Sequence, residues 1–222
     1  IRRQRQMCIR DRAMASKVSI CNLALTRVGE AGSITNIDPP EGSVHAKVCA
    51  TLYPVSVGIL LEAHDWRFAT RRAALAEIQT KELHGWRGLF ALPSDCQRVI
   101  SVRPSTVQRA PWPQNPPFAV ERFDGSPALF TDCPTPVIQY IMAEPGVGSF
   151  PPLFVDALAW HLAQALAGSL IKGKEGLQIT AALTAKYREA LGEAMKKDAG
   201  QHFEPICHVA PWIVVRSVSY TH

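Results

Sequence analysis

The hydrophobic period changes twice along this chain, and that change constrains its fold more than any other feature. Residues 14–65 and 146–200 carry apolar side chains three or four positions apart, as amphipathic helices do. Residues 66–145 between them hold β-branched residues, prolines and turn signals, which indicate short strands. We therefore predict an α+β fold: an antiparallel helical bundle of two N-terminal and two C-terminal helices, with a small antiparallel β insertion between them.

Capping residues and periodicity locate the four helices. Ser16 and Gly29 are suited to begin and end the first helix, and Pro151-Pro152 suit the first turn of the third. The second helix begins at Ser43 and ends near His64, and a fourth covers about 174–200. Along the second helix the aliphatic residues step by three or four positions: Val44, Val48, Leu52, Val55 and Ile59.

The middle of the chain contains one clear hairpin signal. Asp124-Gly125 lies between two apolar runs, and an Asp-Gly pair supports the left-handed backbone of a tight two-residue turn. Arg98–Val102 and the segment PVIQYIMAE supply further strand patterns. We expect these strands to form the β insertion.

Both ends of the chain look like translated sequencing-adapter read-through. We interpret residues 1–13 as a non-native leader, with the native start at Met14, and residues 216–222 as a non-native tail. Removing the leader takes away five arginines and one aspartate, which lowers the formal charge from +5 to +1, and removing Arg216 leaves zero. A near-neutral chain lacks the broad positive surface typical of a DNA-binding protein.

No motif for catalysis, metal binding or a cofactor is present in the sequence. The cysteines are widely spaced, which favours reduced, buried thiols and synthesis in a reducing cytoplasm. The most apolar run, residues 150–171, contains Asp156, His161 and Gln164, so we expect a buried helix and no membrane span. A small cytoplasmic hydrolase built on His64 and His161 is a remote alternative that requires a pocket uniting both rings.

The stretch EAHDWRFATRRAAL, residues 62–75, interleaves aromatic and basic residues. Trp66 and Phe68 alternate as strand residues do, which predicts that both rings enter the junction between helices and strands. We expect Trp66, Phe68, Arg71 and Arg72 to form a subunit or domain interface. The competing hypothesis is a DNA-binding or regulatory module that uses Arg67, Arg71 and Arg72 against phosphates.

Residues 201–215 form an apolar segment without helical or strand period. We expect this segment to dock on the chain's own bundle, on a neighbouring subunit or on another protein. Its candidate docking residues are Phe203, Pro211, Trp212 and Ile213.

Four segments, in this order, resemble the tail tubular protein A family, the head-to-tail adaptors of short-tailed phages. They are ICNLALTRVGEAGSITNID, LLEAHDWRFATRRAALA, GLFALPSDCQRVISV and FPPLFVDALAWHLAQALAGSL, and the resemblance covers most of residues 14–200. It implies a structural virion protein and no enzyme: a ring subunit, dodecameric in that family, that docks beneath the portal protein and receives the tail nozzle (tail tubular protein B-like). Such a ring at the head–tail junction extends and seals the channel through which genomic DNA passes. The final residues, IVVRSVSYTH, depart from the family.

Overall fold

The computed structural model describes residues 15–30, 32–80, 83–105, 116–171 and 173–200. The segments interpreted as leader, docking tail and non-native tail, residues 1–13, 201–215 and 216–222, lie outside these ranges.

Within the described ranges four α-helices form at the predicted places: α1 (Lys17–Val28), α2 (Val44–Ala63), α3 (Pro152–Leu170) and α4 (Lys174–Ala199). The predicted caps of α1 are confirmed. The Ser16 hydroxyl accepts from the Ser19 backbone N–H at 3.0 Å, and Gly29 takes the left-handed conformation with φ of 90°. The hydroxyl of Ser43 caps α2 by accepting from the Ala46 N–H at 3.1 Å.

The helices share one hydrophobic core, with α3 in contact with each of the other three. Phe154, Leu158, Leu162 and Leu166 supply the α3 side of this core and are fully buried. At the partly buried contact of α1 with α3, Arg27 pairs with the Asp156 carboxylate, and its guanidinium lies 3.9 Å from the centre of the Trp160 ring. By length and composition alone α2 and α3 could cross a membrane, but buried core helices meet the same criterion, and both contribute to this core.

Six strands of the described part of the chain pair antiparallel in two three-stranded sheets. They are β1 (Thr70–Ala74), β2 (Gly88–Ala91), β3 (Cys96–Pro104), β4 (Phe118–Phe123), β5 (Ser126–Thr131) and β6 (Pro136–Met142). One sheet has the order β1-β6-β3 and the other β2-β5-β4. The α+β class is thus confirmed, as is the Asp124-Gly125 hairpin, whose residues have φ of 50° and 78° and join β4 to β5.

The two sheets pack against each other through a second core. Val102, Ile138 and Tyr140 of the first sheet meet Phe90 and Leu129 of the second. The first sheet also joins the helical core through the fully buried Ile141. This sheet therefore connects the helices to the rest of the β region, and it begins where α2 ends.

Three residues of the aliphatic stripe of α2 face outward. Val44, Val55 and Ile59 are 65%, 56% and 44% exposed, while Val48 and Leu52 are half-buried and pack against the helical core. The opposite side of the same helix fills the core with Cys49, Tyr53, Val57, Leu60 and Leu61. α2 therefore also has an exposed apolar edge, formed by Val44, Val55 and Ile59, which we call the outer ridge.

Candidate functional site

The stretch from Glu62 to Leu75 carries the chain from α2 into β1. The strand-like alternation expected for Trp66 and Phe68 is wrong, because Arg67–Ala69 form a 3₁₀ turn and the strand begins at Thr70. The turn forms because the N–H of Ala69 bonds to the carbonyl of Trp66 at 3.1 Å, and the Thr70 hydroxyl donates to the same carbonyl at 2.7 Å. Both aromatic rings nevertheless lie at the junction of helices and strands.

Four aromatic rings pack edge to face at this junction. The Phe154 ring centre lies 5.0 Å from that of Trp66, 4.7 Å from that of Phe68 and 4.9 Å from that of Phe150. Trp66 is 1% exposed, and its indole N–H donates to the carbonyl of Leu60 at 2.6 Å. This bond satisfies one of the carbonyls that the end of a helix leaves unpaired. The rings thus fix the direction in which the chain leaves α2.

Asp198, near the end of α4, contacts the same segment between α2 and β1. The sequence did not predict this contact. Its Oδ2 lies 3.2 Å from Nε2 of His64, and both of its oxygens lie 3.4 Å from the backbone N of Arg67. It is 6% exposed. An acidic residue in the last turn of a helix opposes the helix dipole, so its position was a usable sign of a tertiary contact.

Arg71 and Arg72 of this stretch do not share one surface. Arg71 and Arg72 are neighbours in β1 and therefore point to opposite sides of the sheet. Arg71 Nη1 lies 3.3 Å from Asp95 Oδ2, and the hydroxyl of Tyr140 donates to Asp95 Oδ1 at 3.0 Å. Burial and the nearby Asp95 carboxylate raise the pKa of Tyr140.

Arg67 and Arg72 are exposed and have no ion pair within the described ranges. Arg98, by contrast, forms an ion pair with Asp65, in which Nη2 of Arg98 lies 2.6 Å from Oδ1 of Asp65. Two of the cations at this junction, Arg71 and Arg98, are thus bound to carboxylates of the chain itself.

The two histidines of the hydrolase hypothesis lie apart. His64 contacts Asp198, whereas the His161 ring packs 4.9 Å from the ring of Tyr187. Tyr187 and Asp198 are eleven residues apart on α4, which at 1.5 Å per residue is about 16 Å. Burial lowers the pKa of His161, and its Nδ1 has no hydrogen-bond partner in the described structure.

The thiols and carboxylates form no metal centre in the part of the chain that the structure describes. Cys21 and Cys49 are fully buried and interact side by side between α1 and α2. The hydrogen bond with Cys49, together with burial, raises the pKa of the Cys21 thiol, and the same hydrogen bond lowers the pKa of Cys49. Burial with Asp95 nearby raises the pKa of Cys96 to about 11, so Cys96 does not have the lowered pKa of a reactive cysteine.

Two open grooves of about 690 Å³ each flank the helical core. The first lies between α1, α2 and the loop after β6, and includes Lys17, Asp38, Tyr53 and Glu144. The second, which we call the aromatic groove, lies between the start of α3 and the end of α4. Its lining includes Trp66, Phe150, Leu153, Phe154, Lys197 and Asp198.

No protein-family model matches this chain, and no curated protein matches it significantly. The case for a function therefore depends on the chain's own residues and their arrangement.

Proposed function

We propose that this protein is a structural virion protein, a head-to-tail adaptor that forms a ring under a phage portal. In this proposal the ring extends and seals the DNA channel and joins it to the tail nozzle. It is made in the bacterial host cytoplasm and functions at the head–tail junction of the virion, with no enzymatic activity. The order of the four segments that resemble the tail tubular protein A family supports it, as does the α+β class.

The outer ridge of α2 is the observation that carries the proposal. Val44, Val55 and Ile59 are 65%, 56% and 44% exposed along one side of a helix whose other side fills the core. From Val44 to Ile59 the ridge runs fifteen residues, or about 22 Å of helix. An exposed apolar surface of this kind marks a site of protein association. We assign it to the contact between neighbouring subunits, since in a closed ring two unlike faces of each subunit meet.

The charge distribution favours a channel wall over tight DNA binding. Arg71 and Arg72 lie on opposite faces of β1, and Arg71 and Arg98 are paired with Asp95 and Asp65. DNA that must pass through a ring is better served by a surface with few unpaired cations. We propose that genomic DNA passes without sequence-specific contacts.

A finer description of the fold belongs to the same proposal. We propose that the helices form an antiparallel bundle interrupted by the β region. One contact supports this arrangement: Arg27 near the end of α1 reaches Asp156 near the start of α3.

The proposal is tested by the self-association of a ridge variant. We expect the full-length chain to form large species as its concentration rises in mass photometry. The double variant Val55→Ser/Ile59→Ser should stay monomeric, because it removes the two β-branched side chains at the C-terminal end of the ridge. Val120→Ser, at a 47% exposed position on β4, is the matched control and should associate like the unaltered chain. Equal association of all three proteins would contradict the proposed interface.

A further inference from the structure

The aromatic groove lies where the described chain ends. The end of α4 forms one wall with Ala194, Lys197 and Asp198, and α4 itself stops at Ala199. The facing wall comes from the start of α3, and the buried rings of Trp66 and Phe154 also line the groove. The groove is thus an open, largely apolar channel that begins within one turn of the exit of α4.

The residues that leave α4 are suited to this groove. Phe203 follows Asp198 by five residues, which span at most about 17 Å when extended. Ile206, Pro211, Trp212 and Ile213 continue the apolar segment. The outer ridge of α2 is a poorer match, because it lies on the side of that helix turned away from the core, whereas Asp198 contacts the core side at His64.

Charge complementarity supports the same assignment. Glu204 directly follows Phe203, and Lys197 is the cation on the α4 wall of the groove. A phenyl ring placed against Phe150 and Phe154 would extend their edge-to-face packing, in which the two ring centres lie 4.9 Å apart. The Phe203 side chain would therefore enter the apolar floor of the groove, while the Glu204 carboxylate remained beside Lys197 at the rim.

We propose that in the free subunit the segment from Phe203 to Ile213 of the same chain occupies the aromatic groove, with Phe203 as its first anchor. This assignment is independent of the adaptor proposal, since it concerns the chain on its own. If the segment also serves a neighbouring protein in the assembled particle, it must first leave this groove.

Photocrosslinking from the rim of the groove tests the assignment in the full-length chain. A benzophenone amino acid at Leu153, which is 37% exposed on the rim, should crosslink on irradiation to residues 203–213, located by fragmentation of the tryptic peptide spanning residues 198–216. The product should run at the mass of a single chain. Ser149, an exposed residue on the same rim, provides a second probe position if substitution at Leu153 disturbs folding.

A matched control separates docking from random contact. Leu177 is 74% exposed and lies twenty-one residues before Asp198 on α4, a distance of about 31 Å. The same probe at Leu177 should therefore form no crosslink to the 198–216 peptide. Phe203→Ala should lower the yield from Leu153 several-fold, and Phe203→Leu should largely restore it. Equal yields from Leu153 and Leu177, crosslinks formed only between two chains, or no crosslink from either rim position would each overturn the proposal.

Discussion

Replacing Trp66 with phenylalanine tests whether this residue holds the corner between α2 and β1 or lies on a surface that only a partner covers. The indole is 1% exposed, lies 5.0 Å from the Phe154 ring and donates its N–H to the Leu60 carbonyl at 2.6 Å. Phenylalanine keeps one aromatic ring but removes the donor and the second ring. The substitution therefore isolates the hydrogen bond and the lost volume.

The expected cost follows from these two losses. Leaving the Leu60 carbonyl unpaired in a buried site costs about 1–3 kcal/mol. The partial cavity left by the smaller ring adds roughly 1 kcal/mol, comparable to other small deletions in a core. We expect the free energy of unfolding to fall by about 2–4 kcal/mol. With a urea m-value near 2–3 kcal/mol/M, that moves the midpoint by roughly 1 M.

Urea unfolding followed by circular dichroism measures this change, with Trp86→Phe as the matched control. Trp86 is half-buried over the second sheet, and no side-chain hydrogen bond of its indole is found in the described structure. We expect this control to cost under about 1 kcal/mol. Equal midpoints for the Trp66 and Trp86 variants would refute the idea that Trp66 fixes the corner.

Three further predictions concern titration, thiol access and surface charge. Burial lowers the pKa of His161 below the usual 6.5, so below that pH the unfolded chain binds more protons than the folded chain. The free energy of unfolding should therefore fall as the pH drops below 6.5. Urea unfolding at pH 7.5 and pH 5 should show that the His161→Gln variant loses less stability over this range. Cys21 and Cys49 are fully buried, so peptide mass spectrometry should find both unlabelled after maleimide treatment of the folded chain and labelled in urea. The Arg71→Ala substitution should lower the free energy of unfolding by under about 1 kcal/mol, because the Arg71 side chain is 61% exposed where it contacts Asp95.

Each of these predictions has a contrary result. Identical acid sensitivity of the chain and of its His161→Gln variant would mean that His161 is solvated in the folded state. Rapid labelling of Cys21 without urea would mean that α1 separates readily from α2. A large stability loss in the Arg71→Ala variant would assign the Arg71–Asp95 contact a structural role that its exposure argues against.

Local signals in the sequence were sufficient for the helices and one turn. The Ser16 and Gly29 caps of α1 and the Asp124-Gly125 hairpin depend on residues within a few positions of each other, so their chemistry is visible in the sequence. The pairing of strands depends on partners far apart in the chain. β1 pairs with β6, and the division into two sheets follows from such distant pairings.

The candidate site was predictable only in part. Trp66 and Phe68 both pack against Phe154 of α3, and the 3₁₀ turn before β1 was missed because two aromatic residues separated by one position also fit a strand. Asp198 was missed because it lies more than a hundred residues from His64 in sequence. On α2 apolar residues lie both on the core face and on the exposed edge, and periodicity alone does not tell which of them meet the core.

The most direct test of the adaptor account is the symmetry of the particles that the full-length chain forms at high concentration, as imaged by electron microscopy. The account predicts closed rings with a central channel, in which the outer ridge of each subunit meets an unlike face of the next. Particles that remain monomeric or pair about a two-fold axis, and that bind duplex DNA with an affinity falling steeply as salt rises, would contradict it. That second result would instead favour the DNA-binding hypothesis built on Arg67, Arg71 and Arg72.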